Sequence, residues 1–162
     1  MKKAIVLLLI AIVAVSSAFA FKFKSVGIES GRGFYTSADM EIIDNLDAYV
    51  RLGFEDYITS AVFNLSLGGQ YKVAELKIAN TVFDLKPGVQ LDFNFADGVF
   101  LFTLLGTCSF QFEAGHFTAF ARPGLGFTTY PALVYDAATY TYREKTKATF
   151  VVLVECGVAY LF

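Results

Sequence analysis

Tryptophan is absent, histidine occurs once, and cysteine twice and proline three times, in a chain of 162 residues. One His and two Cys supply no spacing that would hold a zinc or another tightly bound metal, so neither metal nor cofactor is expected. Charge is scarce as well, at 17% of residues against roughly 25% in soluble domains. Lys and Arg number 13 against 15 Asp and Glu, a formal net charge of −2. With no basic patch, nucleic acid is excluded as a partner. Long apolar runs are missing except at the N-terminus. Disorder is excluded by what is abundant, since 56% of residues are hydrophobic and 17% aromatic. So much apolar surface, with so few charges to set against it, has to face something other than an ordinary soluble core.

Lys2 and Lys3 precede an uninterrupted apolar run from Ala4 to Val15, followed by Ser16-Ser17-Ala18-Phe19-Ala20. A short positive region, a short apolar core and small residues at Ala18 and Ala20 form the pattern of a secretory signal peptide. The run is short of the roughly 20 residues that a spanning helix needs. Residues 1–20 are therefore read as a cleaved signal and 21–162 as a single exported domain. Cleavage removes two bases and no acid, leaving 11 bases against 15 acids and a mature charge of −4.

The remainder alternates with a period of two. In 83–95, 100–112, 117–129 and 150–162, one phase contains 28 positions and no charged residue. Asp84, Lys86, Asp92, Arg122 and Glu155 fall on the opposite phase. Successive strand side chains point to opposite faces, so one face is wholly apolar. The other, with Gly88, Gly124, Gly126, Gly157, Gln90, Asn94 and Thr103, is too poor in charge to be a solvated exterior. A soluble sandwich or a lipocalin-like binding barrel would place its apolar face inward and a strongly charged face in water. Segments of about ten residues with apolar-out, polar-in alternation instead predict an all-β fold, an eight-stranded antiparallel up-and-down transmembrane β-barrel.

The strands are expected near 21–29, 47–55, 58–68, 71–79, 83–95, 99–112, 117–130 and 148–162. Both termini then lie on one side, together with turns near Asp56-Tyr57, Asn80 and Gly115. Connections at 30–45, 69–70, 96–98 and 131–147 would be on the other. Pro87 and Pro123 fall inside strands, and each predicts a bulge or a missing ladder bond. Cys108 and Cys156 share the apolar face, but a strand lies between theirs, which puts them beyond the roughly 7 Å reach of a disulfide.

The chain resembles the small eight-stranded outer-membrane proteins of Gram-negative-type bacteria, the group of OmpX, OmpW and the OmpA barrel. The signal peptide carries the resemblance, together with the closing run Phe150-Val-Val-Leu-Val-Glu-Cys-Gly-Val-Ala-Tyr-Leu-Phe162. Val158, Tyr160 and the terminal Phe162 look like the signal read by the barrel-assembly machinery. The resemblance implies outer-membrane lipids, that machinery and periplasmic chaperones as partners, with both termini periplasmic. It implies no activity, because the group spans unrelated roles.

No catalytic residues are expected. His116 sits in a predicted turn, and Ser109, the nearest inward hydroxyl, has no orienting acid beside it. Inward charges of both signs (Arg51, Asp47, Glu55, Asp92, Arg122, Glu155, with Lys24 and Lys86) predict an ionic plug in a narrow lumen. Arg122 is expected to face Glu155 across adjacent strands. Val99, Leu101, Val151 and Leu153 flank Gly124 and Gly126, and the gap is read either as ordinary lumen packing or as a cavity for a small apolar ligand. The stretch 131–147 is either a projecting hairpin for surface contacts or part of an aromatic girdle containing Tyr130, Tyr140 and Tyr142. A role in envelope structure or surface interaction is thus set beside passage of apolar solutes in the manner of OmpW.

Overall fold

The computed structural model describes residues 22–57, 60–96, 99–136 and 141–162, so the expected signal peptide at 1–20 and the Asp97-Gly98 turn lie outside the described residues. Nine antiparallel strands follow one another: β1 (Lys22–Ser30), β2 (Gly33–Ile43), β3 (Leu46–Tyr57), β4 (Ser60–Tyr71), β5 (Ala74–Ile78), β6 (Thr81–Ala96), β7 (Val99–Ala114), β8 (Phe117–Asp136) and β9 (Thr141–Leu161). Neighbours in sequence pair in space except β4 and β5, which both pair with β6, and β1 also pairs with β9. The β1–β9 and β4–β6 pairings close the sheet into a barrel with eight positions around its wall.

β4 and β5 share one of those positions. Gln70 pairs with Gly88 of β6, while Ala74 pairs with Leu85, a slip of one residue at Lys72-Val73. The slip is a bulge that breaks a single long strand. The segment 71–79, expected as a strand of its own, is thus the lower continuation of β4. The eighth position is supplied by β2, which lies in the stretch 30–45 expected to be a loop. Its acids Asp39 and Glu41 and the register shift between Glu41 and Ile43 concealed the strand period. Restoring β2 also corrects two turns. The β3–β4 connection lies at the end away from the termini, and Gly69-Gln70 lies toward the termini end. The Asp44-Asn45 turn is at the termini end too, with Asn45 at a positive φ of 68°.

Pro87 and Pro123 both sit where a ladder is interrupted. Pro87 falls between the last β4–β6 rung at Gly88 and the first β5–β6 rung at Leu85. Pro123 falls in a gap of the β7–β8 ladder, between Thr107↔Gly124 and Phe110↔Ala121, with no change of register. A residue without an N–H is accommodated by leaving the rung unmade.

The burial of side chains follows the alternation and is inverted relative to a soluble domain. Arg51, Asn64, Ser66, Gln90, Asp92 and Thr103 are completely buried, whereas Phe34 is 80% and Val152 68% exposed. The wall is also uneven. β1 has 9 residues and β2 has 11, but β8 has 20 and β9 has 21. β9 pairs with β1 only as far as Cys156↔Ser30, and β8 with β7 only as far as Thr128↔Thr103. β8 and β9 continue together to Asp136↔Thr141 as a two-stranded ribbon above the rim.

Candidate functional site

The lumen is the only part of the described structure where charged side chains are brought together and shielded from solvent. At its middle, Arg51 extends from β3 and Arg122 from β8 toward Glu29 and Glu155. Arg51 lies 2.6 Å from Glu155, 3.4 Å from Glu29 and 3.4 Å from Asp92. Arg122 lies 3.2 Å from Glu29 and 3.5 Å from Glu155, its direct cross-strand neighbour. Two guanidiniums and three carboxylates therefore tie β1, β3, β6, β8 and β9 across the axis. The planar fork of arginine suits this task, since one side chain donates in several directions.

One tyrosine ring stacks on each arginine, and Phe120 adds a second ring to Arg122. Arg51 lies 4.2 Å from the centre of the Tyr35 ring, and Arg122 the same distance from that of Tyr49. Tyr49 reaches this position by lying across Gly68, where any Cβ would run into its ring. Its hydroxyl donates to Gln90 Oε1 at 2.8 Å, and Gln90 Nε2 donates to Asp92 at 2.8 Å. Above this layer Arg32, in the β1–β2 turn, approaches Asp92 at 3.3 Å and Glu55 at 3.4 Å. Glu55 Oε1 also accepts from Tyr35 Oη and Asn64 Nδ2.

A second cluster sits at the termini end. Asp47 Oδ2 accepts from Lys86 at 2.7 Å and from Lys24 at 3.1 Å. Asp47 is therefore separated from Arg51 and joins the two lysines instead. Beside it, Ser25 Oγ donates to Asp39. At the termini end, in the bulge from β4 to β5, hydrogen bonds to Asp84 and Glu75 hold the Lys72 ammonium above its ordinary pKa.

The residues flanking Gly124 and Gly126 enclose something other than open space. Leu105 of β7, fully buried, is the pairing partner of Gly126, and its Cβ is 3.8 Å from where a Gly124 Cβ would stand. Leu153 is buried beside it, and Leu101 is half-buried. The Val151 side chain is half-buried, and that of Val99 lies outside the described residues. Gly126 is needed for close approach, because a Cβ there would strike the Leu104 carbonyl.

His116, in the β7–β8 turn, stacks on Tyr160 with ring centres 5.7 Å apart, and its carbonyl accepts from Leu161 N. Tyr160 in turn meets Phe117 and Phe162 edge-on, so the closing residues form an aromatic cluster on the outside of the wall. Cys108 and Cys156 are free and lie on β7 and β9, with β8 between them. Among the described residues no group of three His, Cys, Asp or Glu is arranged to hold a metal ion.

Glu29 and Arg32 were not singled out by the alternation. Both fall near the end of the short β1 or in the turn after it, where too few residues repeat to establish a phase. No family model, curated protein or solved structure matches the chain.

Proposed function

We propose that the chain is an integral outer-membrane β-barrel whose lumen is closed by its own ionic network and whose role is structural or adhesive. The observation that carries this reading is the inverted distribution of side chains. Arg51 and Arg122 are at most 1% exposed, while Phe34, Phe54, Val89, Phe127, Phe150 and Val152 stand in contact with the surroundings. In water this arrangement would expose a continuous apolar belt far beyond what a monomer tolerates. In a bilayer the belt meets hydrocarbon, and every strand of a closed barrel has its backbone partners. A soluble binding barrel of the lipocalin type would require the reverse distribution.

The filled lumen favours a structural role over transport. Eight strands leave room for little more than side chains, and the arginines, carboxylates and Tyr49 cross the axis at its middle. Leu105 occupies the place beside Gly124 and Gly126 where an apolar solute would pass. The reading is tested by planar-bilayer recording on the refolded protein. It predicts insertion without steady ion conductance and no uptake of apolar solutes into loaded vesicles. Sustained conductance or solute flux would replace it with a channel.

A further inference from the structure

The two edges of the β8–β9 ribbon differ. On the β7 side the ladder ends at Thr128, and the next residue seals it. Thr129 Oγ1 accepts from Phe102 N at 2.9 Å and donates to the Phe102 carbonyl at 3.1 Å. Two residues further on, Pro131 has no N–H to offer a new strand. On the β1 side nothing comparable closes the ladder. It ends at Ser30↔Cys156, the chain turns away through Gly31 and Arg32, and above Cys156 no described residue pairs with β9 on that side.

The lower half of this open edge is unguarded. From Ala148 to Val154 it reads Ala-Thr-Phe-Val-Val-Leu-Val, with no charge, proline or glycine. β-branched and aromatic residues suit extended backbone. Natural edges of such composition are normally blunted by lysine, proline or a bulge, because their free N–H and C=O groups template another strand. Charge stands only higher up, at Lys145 and Lys147, which are exposed and, two residues apart, share one face of the ribbon. Their partners on β8 are Ala132 and Tyr130, so no acid stands opposite them, and neither makes an ion pair among the described residues. Lysines so placed repel a copy of the same edge and attract an acidic one.

We infer that the free edge of β9 takes up an extended, acidic polypeptide segment by strand addition, antiparallel to β9 and continuing the line of β1 upward. The segment's backbone pairs with the open edge from Val154 upward. Its uncharged residues lie beside Phe150 and Val152, and its acidic side chains lie beside Lys145 and Lys147. A second copy of the chain does not fit. Two barrels inserted in the same sense tilt their facing strands in opposite directions, by about 40° each, and their lysines repel. The inference names the partner class for the adhesive role proposed above and rests on that membrane reading.

The test uses the protein in vesicles and synthetic peptides of about ten residues, the length of a long strand. The acidic peptide alternates Val with Thr in its first half and Val with Glu in its second, and two controls carry Gln or Lys in place of Glu. Titration gives the affinity, and hydrogen exchange read by mass spectrometry gives the backbone contact. The acidic peptide should bind about tenfold tighter than the Gln peptide, as two opposite-charge cross-strand pairs would allow. It should also slow exchange between Ala148 and Val154, and the Lys peptide should do neither. Lys145→Glu with Lys147→Glu should reverse the preference, so that the Lys peptide binds instead. Lys145→Gln with Lys147→Gln should level the three peptides, and it keeps the test valid should the charge-reversed protein fail to insert. Equal affinity of the native protein for all three peptides would overturn the inference, as would tight binding of the acidic one that leaves exchange between Ala148 and Val154 unchanged. Exchange there that is already slow, and quickens as the protein is diluted in the vesicles, would give the edge to a second copy and overturn it too. Flotation separates the two readings. Protein that floats with the vesicles but binds no acidic peptide overturns the strand addition alone, and protein that does not float overturns the membrane reading with it.

Discussion

The lumen holds two ionic clusters that differ in the residue chosen to carry positive charge. At the middle, Arg51 and Arg122 each meet two or three carboxylates and a tyrosine ring, and neither is more than 1% exposed. At the termini end, Lys24 and Lys86 converge on the single carboxylate Asp47, and the Lys24 side chain is 30% exposed. A guanidinium fork spreads its donors over several strands and stacks on a ring, so it can cross-link a narrow barrel. An ammonium is a compact charge that satisfies one partner here, with Lys24 still partly hydrated at the open end and Lys86 buried behind it. The middle layer therefore closes the lumen and ties five strands together, while the lower cluster joins β1, β3 and β6 through Asp47 alone.

Removing an arginine from the middle should have the largest effect. Arg51→Ala leaves Glu155 and Asp92 buried with reduced compensation, and should cost about 3–5 kcal/mol in a urea-unfolding experiment on the vesicle-inserted protein. A loss below about 1 kcal/mol would mean that water already fills this layer and that the network does not hold the wall. Lys86→Met is the comparison at the lower end. Lys24 still pairs Asp47 there, so the loss should be smaller, about 1–3 kcal/mol by the same measurement. Should Lys86→Met prove as damaging as Arg51→Ala, the distinction between the clusters would fail.

Smaller changes sharpen the contrast. Tyr49→Phe keeps the ring beneath Arg122 and deletes only the hydrogen bond to Gln90, with an expected cost of about 0.5–1.5 kcal/mol. Lys24→Ala removes a partly hydrated cation and should cost about 0–1 kcal/mol, diminishing further as salt is raised.

Particular residues show how far the sequence could be read. β6 to β9 are long, and their charge-free phase repeats often enough to mark the outer face. Arg122 and Glu155 fall at matching positions on adjacent strands, so their pairing follows once the hairpin is assumed symmetric. β2 escaped because Thr36, Ser37, Asp39 and Glu41 mix polar residues into both phases, and because the ladders shift register at Phe23/Ser25 and at Glu41/Ile43. A bulge reverses the face on which later side chains stand, so a short strand containing one loses its periodic signal. The same effect made 71–79 look like an independent strand, since the slip at Lys72-Val73 separates it from β4. Leu105 belongs to the inward phase of β7, but its filling of the space beside Gly124 and Gly126 depends on register between strands. That register is a property of the closed barrel, and no single strand encodes it.

The central claim is that the apolar face meets hydrocarbon, and the two native thiols report on it directly. Cys156 is exposed and Cys108 half-exposed on the outside of the wall, away from the charged lumen. With the purified protein in vesicles, a charged, membrane-impermeant maleimide should leave both unmodified, because a thiol in hydrocarbon neither ionises nor meets the reagent, and the same reagent should modify both once the protein is extracted and unfolded in urea. Rapid modification of Cys156 by the charged reagent in folded protein would place that face in water and contradict the account.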